Sequence, residues 1–500
     1  MVTGLLHGFA DVGQPLNILL LFLGTGLGLI VGGLPGLSSP MAIVVLLPIT
    51  YSMNTLSAMM VLIGIYMGTK LGGSFTAILM RIPGTPAGAC TMLDGYPMMR
   101  KGEGSAALGY STIAAVVGGV IGWIFAVVFV PVIAYVAQQT SNADIALIGL
   151  AGLIIVASMM PGSTIKGWIG ALLGLLLGTV GLDPISGVDR YTFGSINLMS
   201  GIPFLPALIG FFGFTVILSD IASLEVRGES LFGDATIRLP GFADVIKRWS
   251  SLAIGVVYGI AIGAVPGVGA TTSTWIAYGY AKKRSKTPEL YGTGIPEGVL
   301  VPEAAAAAGI GGALIPMLTL GIPGDGSTAI LLGALILHNV QPGVMLMQNN
   351  PGIVYGILTA VVISVFFMFV IARLMIRWFV RVFSQDRAWI FPIIIVLATV
   401  GAFANTNTIF PVYLAIGFGV LGYILETRGY PVITIVLGII LGPIIEQNFR
   451  IALALSNYNW LTFVGRWPER IMVIVIIALI INEARSAFNT LKSTAANAKV

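Results

Sequence analysis

Apolar stretches long enough to cross about 30 Å of hydrocarbon recur along nearly the whole chain, among them Ala106–Val130, Gly352–Ala372 and Ile471–Ile481 with its flanks. Nothing else in the sequence constrains the fold as strongly. Lipid offers no water to an open main chain, so each crossing must close its own hydrogen bonds, as a helix does. The expected fold class is an all-α polytopic membrane protein of roughly 12 transmembrane segments. A chain of 500 residues could hold two or three soluble domains, but 57% hydrophobic and only 9% charged residues leave too little polar surface to cover them.

Several function classes fall away on residue counts. A single cysteine, Cys90, excludes an internal disulfide and a thiolate metal cluster, and two histidines, His7 and His338, argue against a histidine metal or haem site. No metal site and no cofactor is expected. The net charge of +5 is spread over short loops, which suits membrane orientation rather than nucleic-acid binding. The opening "MVTGLLHGFADVG" lacks a basic n-region and a small-residue cleavage site, so no removable signal peptide is expected. No "GxxxxGKS", His-Glu zinc motif or "GxSxG" run is present, so the chain reads as a non-enzyme.

Pro-Gly punctuation divides the chain into two matching halves. "GGLPGLSSP" (Gly32–Pro40) pairs with "GAVPGVGATTS" (Gly263–Ser273), and "GGSFTAILMRIPGTPAG" (Gly72–Gly88) with "GGALIPMLTLGIPGDGS" (Gly311–Ser327). The expected organisation is a first transmembrane repeat over 1–218, a cytoplasmic linker over 219–250, and a second repeat over 251–500 with one extra helix around Pro411–Leu425. Lys and Arg accumulate on the cytoplasmic side, and the matched loops carry opposite bias. "TYSMNTLS" is uncharged where the second half has "AKKRSKTPE", whereas "MMRKGEG" faces "HNVQPGVMLMQNNPG", which has no Lys or Arg. "AYVAQQTSNAD" likewise faces a segment with Arg373, Arg377, Arg381 and Arg387. The repeats are therefore expected to be inverted, with the linker and the C-terminus cytoplasmic.

Irregular backbone at membrane depth survives only when buried in protein or lining a wet cavity. Gly72–Tyr96 is read as a re-entrant hairpin with arms of about a dozen residues, each too short to span, and Leu314–Leu337 as its partner. The second arm of each starts at the tip, turning free N–H groups and a positive dipole end inward, a seat for an anion. The candidate substrate-binding residues are those at the four breaks: Gly36, Ser38 and Ser39; Gly84, Thr85, Pro86 and Ala87; Gly267, Gly269, Thr271 and Thr272; Gly324, Gly326, Ser327 and Thr328. Paired inverted breaks near the midplane are the arrangement of secondary transporters.

Charged residues carry two readings each. Asp325 is either the N-cap of the helix starting at Gly326 or part of ion coupling. Lys70 and Arg81 are either snorkelling anchors or partners of a carboxylate. Asp94, Glu297 and Glu303 are expected at helix ends near the interface, Glu303 the deepest, and His338 at a helix C-terminus.

"YMGTKLGGSFTAILMRIPGTPAGACTMLDGYPMMRKGEGSAALG" (Tyr66–Gly109) and "PEAAAAAGIGGALIPMLTLGIPGDGSTAILLGALILHNVQPG" (Pro302–Gly343) resemble the large membrane subunit of the tripartite tricarboxylate transporter family. The likeness runs from about Gly24 to about Ile480. It implies a multi-pass protein of the bacterial inner membrane that works with a small membrane subunit and a periplasmic solute-binding protein. Such a protein imports tricarboxylates or related organic acids on a Na+ or H+ gradient. The sequence departs from the family pattern at Arg81, where Asn is common, at Leu71, where Tyr is common, and at Ala306 and Ala307, where Asn-Asn is common. A passive carboxylate channel or exporter is the alternative.

Overall fold

The computed structural model describes residues 2–34, 37–81, 83–137, 139–159, 164–183, 186–222, 240–383, 390–404 and 408–481. The first half comprises α1 (Val2–Val12), α2 (Pro15–Gly33), α3 (Ser39–Leu46), α4 (Thr55–Met80), α5 (Gly88–Arg100), α6 (Gly104–Ala137), α7 (Asn142–Met159) and α8 (Thr164–Gly178). A two-stranded hairpin, β1 (Gly181–Leu182) and β2 (Asp189–Arg190), and α9 (Ile196–Met199) follow. Next, α10 (Phe204–Leu208) runs through a π-helical turn, Ile209–Phe214, into α11 (Thr215–Ala222). The second half comprises α12 (Phe242–Lys247), α13 (Trp249–Gly263), α14 (Gly269–Arg284), α15 (Pro296–Leu320), α16 (Gly326–Leu337), α17 (Leu346–Asn349), α18 (Pro351–Phe383), α19 (Ile390–Ala404), α20 (Phe410–Thr427) and α21 (Val432–Leu455). Residues 467–481 are also helical. The chain is an all-α polytopic membrane protein: among the described residues 7 helices are long and apolar enough to cross a bilayer, and shorter apolar helices stand beside them.

Glycines at four-residue spacing decide how the helices pack. Gly24, Gly28 and Gly32 of α2 lie against the backbone of Val61, Ile65 and Thr69 of α4, so the two helices run parallel with main chains in contact. Gly255, Gly259 and Gly263 of α13 lie in the same way against Val301, Ala305 and Gly309 of α15. Between the halves, Gly118 and Gly122 of α6 rest on Ala304 and Ala308 of α15. Close approach through small residues is how helices gain contact where lipid is as apolar as their own side chains.

The re-entrant segments differ from the expectation of two short arms. Their first arms are the ends of full-length helices, 26 residues in α4 and 25 in α15, and only the second arms are short, 13 residues in α5 and 12 in α16. Gly72, Gly73 and Pro316 do not interrupt their helices, because in a fully packed surround the chain keeps its remaining backbone bonds. Each long helix stops on a left-handed residue, Arg81 (φ 57) and Gly321 (φ 70), in front of an Ile-Pro-Gly. Glycine takes that conformation freely, and asparagine tolerates it better than arginine does. After the stop the chain doubles back as a loop: Gly84 returns to the level of Gly73, and Gly324 to the level of Ala313. Gly88 then meets Gly73 while Gly95 meets Ile78, so α5 runs in the same sense as the last turns of α4 rather than against them.

Most of the expected linker, and the two residues Pro35 and Gly36 of the first break, lie outside the described residues. A helix, α20, spans the segment expected as the extra one.

Candidate functional site

The first tip is built from contacts too close for any side chain. A Cβ on Gly84 would stand 2.0 Å from the Gly32 carbonyl oxygen, and one on Gly73 would stand 2.6 Å from Thr85 Oγ1. The Gly84 amide donates to the Gly73 carbonyl at 3.1 Å, and the Gly88 amide to Thr85 Oγ1 at 3.3 Å. The first turn of α5 is thereby held against α4. Thr85 and Ala87 are buried, and Pro86 is exposed.

The second tip is a capped helix start. Asp325 accepts from the Thr328 amide at 2.9 Å, and the Asp325 amide donates to Thr328 Oγ1 at 2.8 Å, a reciprocal capping box. The N-cap reading of Asp325 is thus met in full. Its other oxygen accepts from the Tyr66 hydroxyl of α4 at 2.6 Å. Gly269, in a left-handed conformation (φ 64), leans on the Asp325 side chain, the Gly267 amide donates to the Pro323 carbonyl at 3.1 Å, and Gly326 faces Pro40. The second tip therefore gathers the breaks at 38–40 and 267–269 around itself. Thr69 Oγ1 donates to Ser39 Oγ at 2.7 Å, tying α4 to the start of α3, which Ser38 caps. Ser327 is 1% exposed and its hydroxyl has no partner among the described residues. Thr271 and Thr272 are half-buried on the first turn of α14.

Lys70 corrects the anchor reading. It is buried on α4, one turn past Tyr66, with its ammonium 5.4 Å from that ring's centre and within Coulombic range of Asp325. It belongs to no ion pair among the described residues. Burying an ammonium is costly, and the charge that faces Lys70 is the Asp325 carboxylate that caps α16. Arg81 ends α4 at the edge of the first tip, but its exposed side chain lies over the Tyr96 ring at 5.7 Å.

Two acidic residues also depart from expectation. Asp94 is not at a helix end but inside α5 and fully buried. It accepts from the amides of Gly292 (3.0 Å), Gly294 (2.8 Å) and Ile295 (3.1 Å) and from the Tyr278 hydroxyl (2.8 Å), pinning α5 to the approach of α15. Glu303 lies within α15, 3% exposed, among hydroxyls of Thr91 and Ser111. Glu297 does sit at a helix start, paired with Arg248 at 3.0 Å, and His338 is the C-cap of α16.

Sequence reasoning missed Tyr66, Thr69 and the Asp183–Arg190–Glu446–Arg450 network. Tyr66 and Lys70 are four apart on one helix face, a spacing that could have flagged them. The network joins the β-hairpin to α21 through Arg190–Glu446 at 2.6 Å and Arg450–Asp183 at 2.6 Å, across sequence distances that no local pattern reveals. Outside the spans, Asp244 on α12 is held below the usual carboxylate range by the Tyr110 hydroxyl and, secondarily, by Arg248. Among the described residues no three His, Cys, Asp or Glu stand together as a metal site.

The profile of the tripartite tricarboxylate transporter TctA family matches residues 18–437. An uncharacterized 52.8 kDa protein of the TAR-I ttuC' 3' region of Agrobacterium vitis is 32% identical over 474 residues, 93% of this chain and 92% of its own. A protein of the TAR-II ttuC' 3' region of the same organism is 32% identical over 206 residues, 41% of this chain and 85% of its own. No solved structure matches the chain. With a family profile over most of its length and a relative alike from end to end, this multi-pass membrane protein belongs to the TctA family of tripartite tricarboxylate transporters.

Proposed function

We propose that this chain is the translocating subunit of an ion-gradient-driven secondary transporter that imports tricarboxylates or related organic acids across a bacterial inner membrane. It takes substrate from a periplasmic binding protein and works beside a small membrane subunit, its two halves inverted and its C-terminus cytoplasmic. One observation carries the reading: the start of α16 is buried against the starts of α3 and α14, with the Lys70 ammonium alongside, facing Asp325. Helix starts offer free amides and a positive dipole end, and an ammonium adds a full charge. A carboxylate is the ligand such a place suits, and displacing Tyr66 and Asp325 from each other would open it.

The test is uptake into proteoliposomes holding the complete transporter and its binding protein. Labelled citrate, succinate and benzoate are offered with a Na+ gradient, with a pH gradient, and with neither, all without ATP. Accumulation of at least one anion above its outside concentration under an ion gradient is the expected result. Flux that only equalises concentrations supports the passive channel or exporter instead.

A further inference from the structure

Glu303 belongs to neither tip and is closed off from solvent, yet its carboxylate meets all three elements that position the first tip. Thr91 of α5 donates to one oxygen, Ser111 of α6 donates to the other at 3.1 Å, and Ser74 of α4 is within bonding reach. The Ser74 hydroxyl itself donates to the Lys70 carbonyl at 3.3 Å, which leaves its lone pairs free to accept. The carboxylate is thus ringed by three hydroxyls, each of which can donate to it when it is ionised and accept from it when it is protonated.

Among the described residues no cation is at hand to offset an ionised Glu303. On α4 the ammonium of Lys70 is turned to Tyr66 and Asp325. On α5 the neighbours are the Cys90 thiol and Asp94, the latter already bound by three amides and a tyrosine. On α6 the hydroxyl of Tyr110 is bonded to Asp244, on α14 that of Tyr278 to Asp94, and the ionisable residue of α13 is Tyr258. Glu297, on the same helix, is matched by Arg248, and Asp325 and His338 bound α16. A Na+ ion needs oxygens set around a gap, whereas here hydroxyls lie directly against the carboxylate.

Position gives a proton on Glu303 a consequence. Thr91 is three residues past Gly88, so Glu303 sits beside the first turn of α5. An ionised Glu303 opposes an anion at that helix start, and a protonated one does not. Resting on the transport reading above, and on α4 carrying Lys70 of the second tip and Gly73 of the first within one turn of each other, we propose that Glu303 binds the proton that enters with each anion, and that its protonation lets the anion also engage the first tip. Proton and anion then assist each other's binding by the same factor, as linkage requires.

Two measurements test this. In the proteoliposomes described above, an inward gradient of one pH unit can drive at most about tenfold accumulation per coupled proton. Wild type should show it; Glu303→Gln, a fixed neutral form, should lose it while retaining exchange of labelled for unlabelled anion. Accumulation by Glu303→Gln under the pH gradient, or wild-type accumulation that follows Na+ and ignores pH, overturns the proposal. The second measurement needs no substrate: infrared difference spectra of the purified full chain between acid and alkaline buffer. A protonated-carboxyl band that disappears in alkali and is missing from Glu303→Gln, with Thr91→Val shifting it, is expected. If wild type and Glu303→Gln give the same spectra, the assignment is wrong whichever anion is carried. If the spectra agree with it but no tested anion is accumulated, the transport reading fails and the proton site stands.

Discussion

Gly68 offers a sharp test of the packing that holds the tips in place. A Cβ there would stand 2.3 Å from the Thr25 carbonyl oxygen, 2.6 Å from the Leu29 amide nitrogen and 3.0 Å from the Gly28 carbonyl carbon. All three are backbone atoms of α2, so no side chain can turn away. Relief requires the helices to part by about 1 Å, which breaks the contacts of the whole ladder; overpacking of this kind costs about 1–3 kcal/mol. Alanine gains about 1 kcal/mol over glycine in a helix interior, so Gly68→Ala should lose up to about 2 kcal/mol net. Gly279→Ala on α14 is the control, since nothing lies within 4 Å of a Cβ there and only the helix-propensity gain remains. Gly259→Ala, meeting the Ala305 carbonyl at 2.6 Å, should follow Gly68. Thermal unfolding in detergent, read by size exclusion, should show melting points below wild type for Gly68→Ala and Gly259→Ala, and at or above it for Gly279→Ala. A Gly68→Ala protein as stable as the control would refute the reasoning.

Lys70→Met should leave the melting point near that of wild type, because an apolar chain of similar length removes the cost of burying an ammonium while Asp325 keeps its bonds to Tyr66 and Thr328. Anion uptake should nevertheless drop about tenfold or more, the loss of one charge-assisted hydrogen bond worth about 1.5–3 kcal/mol. Asp94→Ala orphans three amides and a tyrosine hydroxyl and should destabilise the protein by about 3 kcal/mol or more, measured by the same unfolding assay. Asp244 has a folded pKa below its unfolded one, so its contribution is present above the ordinary aspartate range and lost as pH falls through the folded value. Peptic cleavage at 240–248 should therefore quicken with acidification in wild type, and be quick throughout the acid range in Asp244→Asn.

The breaks were legible in the sequence because their residues are chosen for local backbone reasons. Asp325 three before Thr328 spells a cap, and Pro83 and Pro323 cannot continue a helix with a full set of bonds. What was not legible depends on neighbours distant along the chain. Arm length was misread because small residues such as Gly72 look like breaks locally, whereas their role is to admit the Leu29 carbonyl of α2. The glycine spacing itself was visible as small-xxx-small runs in "GTGLGLIVGG" and "IGIYMGTKLGG". Lys70 looked like an anchor because lysine in a membrane helix usually reaches for the interface; its burial follows from α4 being enclosed on nearly every side. Asp94 and Glu303 are held by groups from 184 to 212 positions away, and a single sequence gives no hint of such pairs.

The shared sense of α4 and α5 shapes the field an approaching ion would cross. The closing carbonyls of α4 surround the outer rim of the first tip, while the opening amides of α5 lie at the level of Gly73, about 10 Å deeper by helical rise. An anion moving inward leaves a weakly negative doorway for a positive floor, and a cation meets the reverse sequence. Over two turns of helix the backbone's own field thus changes from weakly negative to positive, whatever side chains stand around it.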